Sequence, residues 1–260
     1  MNRASLLRCA ALLAAFGLTT ASLSATDKPV VTVFAAASLK EAFDAAGAAF
    51  TKATGYPVRF SYGGSDTLVA QLVQGAPADV FASANQAQMQ RAIDGGVVAS
   101  ARVFAHNRLV VIVPANDTTV ATVADLGKKG AKVVLAAPSV PVGNYARQTF
   151  ANLAKDPAFG ADFATRVQAN VVSEETDVKA VATKISLGEG DAGVVYATDV
   201  TPSIAAKVRA FHFPPGAAPD ATYPIGVTKS APNADGGRAF TDFITSPAGQ
   251  DFLKARGFEE

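Results

Sequence analysis

Short apolar runs alternate with amphipathic helical patterns along most of this chain. The first run, residues 30–34, predicts a buried strand, and the apolar positions of residues 39–50 recur at steps of three and four, which predicts a helix. The same alternation continues almost to the end of the sequence. Further predicted strands lie at residues 57–61, 78–83, 104–114, 132–136, 192–196, 208–213 and 223–228. Further predicted helices lie at residues 66–74, 85–93, 144–153, 177–187, 235–244 and 247–256.

This alternation predicts an α/β fold in which helices flank mostly parallel sheets. In such folds, ligands bind at the carboxyl ends of the strands, where the chain turns into the next helix. Three positions with small or hydroxyl-bearing neighbours fall at such turns, namely Ser38, Ser65 and Val142. These turns are therefore candidate ligand contacts.

The turn at Ser38 has a second feature of interest. Glu41 stands three residues later, and this spacing predicts a capping box at the start of the helix. A helix start also presents unpaired N–H groups and the positive end of the helix dipole, so it suits an anion. Taken alone, however, the stretch favours a structural cap over a ligand contact.

The first 25 residues have the pattern of a signal peptide. Arg3 and Arg8 precede and border an apolar stretch at residues 9–18, and small residues at 21–25 suit cleavage. The apolar stretch is too short to span a membrane stably, and Cys9 lacks the flanking residues of a lipid anchor. The pattern predicts a secreted protein of a bacterial periplasm. Its mature chain would have no cysteine, because Cys9 is the only one.

Composition and motifs argue against several functions. The 23 Lys and Arg nearly balance the 22 Asp and Glu, which does not suit a nucleic-acid binder. His106 and His212 are far apart and have no thiolate partners, so no zinc or copper site is predicted. No nucleophile elbow, Ser-x-x-Lys motif or phosphate loop occurs, and the glycine pattern at residues 188–193 enters a strand rather than a helix. We therefore predict no enzyme activity, no catalytic residue and no cofactor.

Several predicted helix entrances instead combine small residues and hydroxyl groups without a cation. Ser38, Ser65, Val142 and Val178 stand at such entrances, and Tyr196 places a phenol at the end of a strand. Each feature alone is typical of ordinary caps and turns. Together they favour an anion held by neutral dipoles.

Residues 33–39 resemble the opening motif of the periplasmic molybdate-binding proteins of ABC transporters. Other stretches that match this family in order are residues 64–68, 75–84, 140–146, 193–199 and 246–250. The resemblance covers essentially the whole mature chain. It implies the fold of a type II periplasmic binding protein, in which two α/β lobes joined by two crossing segments hold the ligand in the cleft between them. The crossings are expected near Arg108 and Tyr223.

The resemblance also implies domain bounds and a site. Residues 1–25 would be the signal peptide, 26–108 and 223–260 the first lobe, and 109–222 the second lobe. The implied contacts are listed by lobe: Ser38 and Ser65 from the first, and the N–H groups of Val142 and Val178 with the Tyr196 hydroxyl from the second. They would bind the oxygen atoms of molybdate or tungstate rather than ligate the metal directly. The implied partner is the membrane permease of an ABC transporter, and the protein is expected to be a monomer.

Three alternatives remain open from the sequence. The ligand could be another tetrahedral oxyanion, such as sulfate or thiosulfate. A secreted hydrolase could use Ser65 as its nucleophile, with Asp66 as the neighbouring base. An anion-sensing module could dock on a membrane partner without feeding transport. Asp66 also departs from what an anion site favours, since its carboxylate would repel the ligand unless it faces solvent or the helix start.

Overall fold

The computed structural model describes residues 28–260, which form ten strands and eight α-helices. The strands are β1 Val31–Ala36, β2 Val58–Gly63, β3 Val80–Ala82, β4 Arg102–Asn107, β5 Leu109–Pro114, β6 Val133–Ala136, β7 Val171–Glu175, β8 Ala192–Tyr196, β9 Val208–His212 and β10 Ala221–Val227. The helices are α1 Lys40–Thr54, α2 Ser65–Val73, α3 Gln86–Asp94, α4 Pro141–Leu153, α5 Phe163–Ala169, α6 Val178–Ser186, α7 Ala234–Thr245 and α8 Pro247–Lys254. The predicted signal peptide lies outside the described residues.

The strands form two five-stranded sheets flanked by helices, which confirms the α/β prediction and gives the protein two lobes. The first sheet has the order β2-β1-β3-β10-β4, and the second has the order β7-β6-β8-β5-β9. Each sheet is mixed but mostly parallel, as expected, because four of its five strands run in one direction and one runs against them. In the first, β1 is parallel to β2 and β3, whereas β10 is antiparallel to β3 and β4. In the second, β6 is parallel to β7 and β8, whereas β5 is antiparallel to β8 and β9.

The antiparallel pairs arise where the chain passes between the sheets. Arg108 alone separates β4 from β5, so the chain passes directly from the first sheet into the second. Leu109 at the start of β5 lies opposite Tyr196 at the end of β8, and Ala221 at the start of β10 lies opposite Asn107 at the end of β4. β5 and β10 therefore start at the end of the sheet where β8 and β4 finish. They run in the opposite direction to these neighbours, which makes the pairs antiparallel.

An aromatic cluster fixes the position of α1 in the first lobe. The rings of Phe43 and Phe50 meet the ring of Phe240 on α7 edge-on, at centroid distances of 5.7 and 5.3 Å. Such pairs contribute about 0.5–1.5 kcal/mol each beyond the area they bury. Because all three rings are fully buried, they hold α1, and therefore the turn that leads into it, against the sheet.

Some elements differ from the sequence prediction. The apolar run at residues 104–114 is two strands, β4 and β5, and the elements α5 and β7 were not predicted. β7 is an edge strand in which Val172 is exposed and two glutamates form the end, so it has no apolar run to mark it. No helix within residues 28–260 is both long enough and apolar enough to cross a membrane.

Candidate functional site

A cavity of about 210 Å³ lies between the two lobes, at the edge where the parallel strands end. The five predicted site residues all line it: Ser38, Ser65, Val142, Val178 and Tyr196. Among the residues that the structure describes, none of those lining the cavity is a lysine, arginine or histidine. The cavity is small and suits a small ion better than an organic molecule.

Helix starts surround this cavity. α2, α4 and α6 begin at it, and the 3-10 turn Ala37–Leu39 leads from it into α1. The residues before α2 and α4 are Gly64 and Val140, which have no side-chain acceptor to offer. The first N–H groups of a helix have no intrahelical acceptor, so these groups remain available for a ligand. The dipoles of the helices add positive potential at the same place.

Local sequence explains why α4 and α6 start where they do. Pro141 occupies the first position of α4, where its fixed φ and missing N–H fit. At Gly143 an added Cβ would overlap the carbonyl oxygens of Ala136 and Ala137, so only glycine lets α4 approach the end of β6 this closely. α6 is capped by Asp177, whose Oδ1 accepts the N–H of the residue three positions later at 3.0 Å. The first N–H of the helix, that of Val178, is not used by this cap and is left for the cavity.

The capping box predicted at Ser38 and Glu41 does not form, and that prediction is wrong. Ser38 lies inside the 3-10 turn, and α1 starts only at Lys40 without a side-chain cap. The Ser38 hydroxyl lies 2.9 Å from the phenol oxygen of Tyr223. The Glu41 carboxylate accepts from the Lys179 ammonium at 2.8 Å. Both side chains therefore have partners that are distant in sequence, which compete with the local cap.

Ser65 and Tyr196 are positioned to donate into the cavity. The Ser65 oxygen is buried and accepts the backbone N–H of Ala84 at 3.0 Å, so its own proton is available. The Tyr196 oxygen is buried without a hydrogen-bond partner in the described part of the chain. Burial raises the pKa of the Tyr196 phenol well above its ordinary value, so the group stays protonated. A buried donor without a partner is costly unless a ligand accepts from it.

Asp66 does not face the cavity. It lies in the first turn of α2, and its Oδ2 accepts from the Ser139 hydroxyl at 2.7 Å. Ser139 precedes α4 in the second lobe, so this contact joins the two lobes across the mouth of the cleft. The carboxylate is thus neither a base for Ser65 nor a repulsive group in the cavity.

A charged cluster behind the cavity could not be found from the sequence. The Lys179 ammonium lies 2.8 Å from Glu41 Oε2 in the first lobe and 3.2 Å from Asp199 Oδ1 in the second. Asp199 is buried and accepts the N–H of Tyr196 at 3.2 Å. Burial raises the pKa of Asp199 to about 6 despite the neighbouring ammonium. Two carboxylates thus offset the cation, and the cluster links a site residue to the interface between the lobes.

Tyr223 and Asn107 were also missed as parts of the site. Tyr223 was noted only as a crossing point, yet its phenol contacts Ser38 directly. Asn107 ends β4, and its amide nitrogen lies 3.4 Å from the Tyr223 oxygen. A polar side chain at each predicted crossing was the only sequence signal for these two residues.

Comparison with known proteins gives consistent results. The profile of the bacterial extracellular solute-binding protein family matches residues 31–259. A molybdate-binding protein of Mycobacterium tuberculosis is 38% identical over 231 residues, covering 88% of this chain and 84% of the relative. This match confirms the resemblance that the motifs indicated.

Two solved structures share the fold. The periplasmic molybdate-binding protein of Azotobacter vinelandii superposes with a TM-score of 0.75 at 21% identity, covering 88% of this chain and 99% of that one. The sulfate-binding protein of Mycobacterium tuberculosis superposes with a TM-score of 0.78 at 19% identity, covering 89% and 86%. Identities this low establish the fold alone, and the predicted two-lobed periplasmic binding protein fold is confirmed.

Proposed function

Since this chain belongs to the bacterial extracellular solute-binding protein family, we propose that it captures molybdate and delivers it to the membrane permease of an ABC transporter. The observation that carries the proposal is the convergence of hydroxyl donors and uncapped helix starts on one small cavity without a cation. The similarity to a molybdate-binding relative supports molybdate as the anion. Tungstate, which has nearly the same size and charge, is the second proposed ligand.

The proposed contacts come from both lobes. They are the hydroxyls of Ser38, Ser65 and Tyr196 and the backbone N–H groups of Val142 and Val178, each bound to an oxygen of the anion. A hydrogen bond to an ionised acceptor contributes about 1.5–3 kcal/mol, so five of them offset much of the dehydration of a dianion. No counter-charge is needed, because helix dipoles supplement the bonds.

Fixed neutral donors also select among anions. Sulfate is smaller than molybdate. In a cavity fitted to molybdate, the distances from the fixed donors to the sulfate oxygens would therefore be too long for good hydrogen bonds. Phosphate carries a proton for much of the neutral range, and the five proposed contacts, which act as donors, offer no acceptor for it. A buried cation would not discriminate in this way, because it attracts every anion of the same charge.

The proposed organisation follows the two sheets. Residues 26–108 and 223–260 would form the first lobe and residues 109–222 the second, with residues 1–25 as the signal peptide of a monomeric periplasmic protein. The first sheet contains β1 to β4 with β10, and the second contains β5 to β9, which supports these bounds to within two residues, since β10 begins at Ala221. Contacts such as that between Ser139 and Asp66 then form as the lobes close on the ligand.

The hydrolase alternative is not supported by the geometry at Ser65. Its oxygen is engaged as an acceptor by the Ala84 N–H, and the Asp66 carboxylate binds Ser139 instead of Ser65. A nucleophilic serine needs a base within hydrogen-bond reach of its proton. We therefore propose a binding function without catalysis.

Calorimetric titration of residues 26–260, freed of bound anion, tests the proposal. Molybdate and tungstate should bind one to one, and sulfate and phosphate should give no heat at the same concentrations. Ser38→Ala and Ser65→Ala should each weaken molybdate binding by about tenfold or more, whereas Ser100→Ala, at an exposed serine, should not. Preferential sulfate binding would replace the ligand. Unchanged affinity in both serine variants would refute the site.

A further inference from the structure

We infer that Tyr223 and Asn107 are positioning residues that fix the Ser38 hydroxyl as a hydrogen-bond donor toward the cavity. The inference rests on the proposed function and explains how the site distinguishes an oxyanion without a proton from one that carries a proton. It starts from the contact between two buried hydroxyl groups, Ser38 Oγ and Tyr223 Oη, at 2.9 Å. Either hydroxyl could be the donor in that bond, so a third group must set its direction.

Asn107 supplies the direction. Its Oδ1 accepts the N–H of Arg108 at 2.9 Å, which identifies the oxygen and leaves the NH₂ group on the other side. The nitrogen donates to Thr198 Oγ1 at 2.8 Å and to Tyr223 Oη at 3.4 Å. An amide nitrogen only donates, so the Tyr223 oxygen accepts from it. The bond to Tyr223 is long and weak, but its polarity is unambiguous.

The Tyr223 proton is then directed to Ser38. A phenol has one proton, and burial keeps this phenol protonated by raising its pKa well above the ordinary value. Two groups are hydrogen-bonded to the Tyr223 oxygen within residues 28–260, and the Asn107 nitrogen cannot accept, so Ser38 Oγ is the acceptor left for the phenol proton. Ser38 already accepts one bond, so its own proton points to the cavity that it lines.

The same arrangement occurs at Ser65, which supports this interpretation. Ser65 Oγ accepts the backbone N–H of Ala84, so its proton is also left for the cavity. A backbone N–H fixes the direction in which the Ser65 hydroxyl donates. For Ser38, the hydrogen bonds that run from Asn107 through Tyr223 fix that direction. With the protonated phenol of Tyr196, all three hydroxyls face a ligand as donors. A ligand oxygen that carries a proton then meets a donor and loses a bond.

Selenate and hydrogen arsenate provide the matched probes. Both are tetrahedral dianions of similar size in mildly alkaline buffer, but only hydrogen arsenate carries a proton. Each would compete with molybdate in a calorimetric displacement titration, and the readout is the ratio of the two competition constants. Because size and charge are matched, the ratio reports mainly on the proton.

The test variant is Tyr223→Phe, which removes the donor to Ser38. The Ser38 hydroxyl can then rotate and accept a hydrogen bond from the ligand. Molybdate affinity should fall, and the preference for selenate over hydrogen arsenate should shrink by about three- to tenfold. Asn107→Asp should lower the preference at least as much, because the new carboxylate accepts the Tyr223 proton and forces Ser38 to donate to Tyr223. The added charge weakens both dianions alike and so cancels in the ratio.

Tyr145→Phe is the matched control. Its hydroxyl is on a buried tyrosine near the same crossing, but it accepts the N–H of Thr222 at 3.4 Å and has no bond to Ser38. The ratio in this variant should equal that of the wild type. An unchanged ratio in Tyr223→Phe, or an equal drop in the control, overturns the inference. A wild-type protein that binds no oxyanion would instead refute the proposed function itself.

Discussion

Replacing Tyr196 by phenylalanine isolates one proposed donor, because the change removes a single oxygen and keeps the ring. That oxygen is buried without a partner in residues 28–260, so no hydrogen bond within the protein is lost with it. The ring continues to pack edge-on against Tyr223, at a centroid distance of 5.7 Å. We therefore expect the ligand-free variant to be at least as stable as the wild type, while molybdate binding weakens.

The size of the binding loss follows from the bond that is removed. A hydrogen bond to an ionised acceptor contributes about 1.5–3 kcal/mol, which corresponds to a rise in Kd of about ten- to hundredfold. At a molybdate concentration of about 100 times the wild-type Kd, binding stabilises the wild type by about 2.7 kcal/mol. A tenfold rise in Kd would reduce that stabilisation to about 1.4 kcal/mol.

Two measurements check this prediction. Calorimetric titration gives Kd for the wild type and for Tyr196→Phe, and urea unfolding with and without molybdate gives the stabilisation. Tyr56→Phe is the control, because Tyr56 lies outside the cavity lining and stacks on Phe50 in the first lobe. A Kd within about threefold of the wild-type value in Tyr196→Phe would refute the donor role. A clear loss of ligand-free stability would show that the hydroxyl has a partner within the protein.

Three further predictions concern groups around the cavity. Glu41→Gln removes one charge from the ion pair with Lys179 that joins the lobes. Both side chains are partly exposed, so the pair contributes little. Molybdate affinity measured by titration should therefore fall only about two- to fivefold. Burial raises the pKa of Asp199 to about 6, above its value in the unfolded chain. Between about pH 4 and pH 6 the native state therefore binds a proton at this carboxyl that the unfolded state does not. As a result, Asp199 makes the free energy of unfolding fall as pH rises through that range. Urea unfolding across that pH range should show a smaller fall in unfolding free energy for Asp199→Asn than for the wild type. Gly143→Ala should lower the unfolding free energy by about 1–3 kcal/mol, because the new methyl group overlaps carbonyl oxygens at the end of β6. The same overlap should displace the start of α4 and lower molybdate affinity.

The hydrophobic pattern predicted the elements that carry the site well. The strands before α1 and α2 are marked by an apolar run and by a turn with glycine and serine, and α6 is marked by its own apolar face, so Ser38, Ser65 and Val178 could be placed at helix starts. β8 matches its predicted bounds, residues 192–196, since all five of its residues are buried. Buried strands and amphipathic helices leave a local signal, and the sites at their ends follow from it.

The partners of these residues could not be predicted, because they are far away along the chain. Ser38 and Tyr223 are separated by 185 positions, and Lys179 and Glu41 by 138. The spacing of Ser38 and Glu41 satisfied a local rule, but the tertiary partners of both side chains prevailed. The one reversed strand of each sheet, β10 or β5, was not predicted for a similar reason, since strand direction depends on where the chain crosses between lobes. Edge strand β7 had too little buried surface to leave a pattern.

The position of β10 in the first sheet has a consequence for how the protein acquires its structure. β4 pairs with no strand other than β10 among the described residues, and Asn107 and Tyr223 at their facing ends are 116 positions apart. The strands of the second sheet are contiguous in the chain, so that lobe can complete its sheet as soon as β9 has been made. The first lobe must wait for the last quarter of the chain, and until then the edges of β3 and β4 stay open to wrong pairing. As the chain is synthesised, the second lobe should therefore reach its native fold before the first.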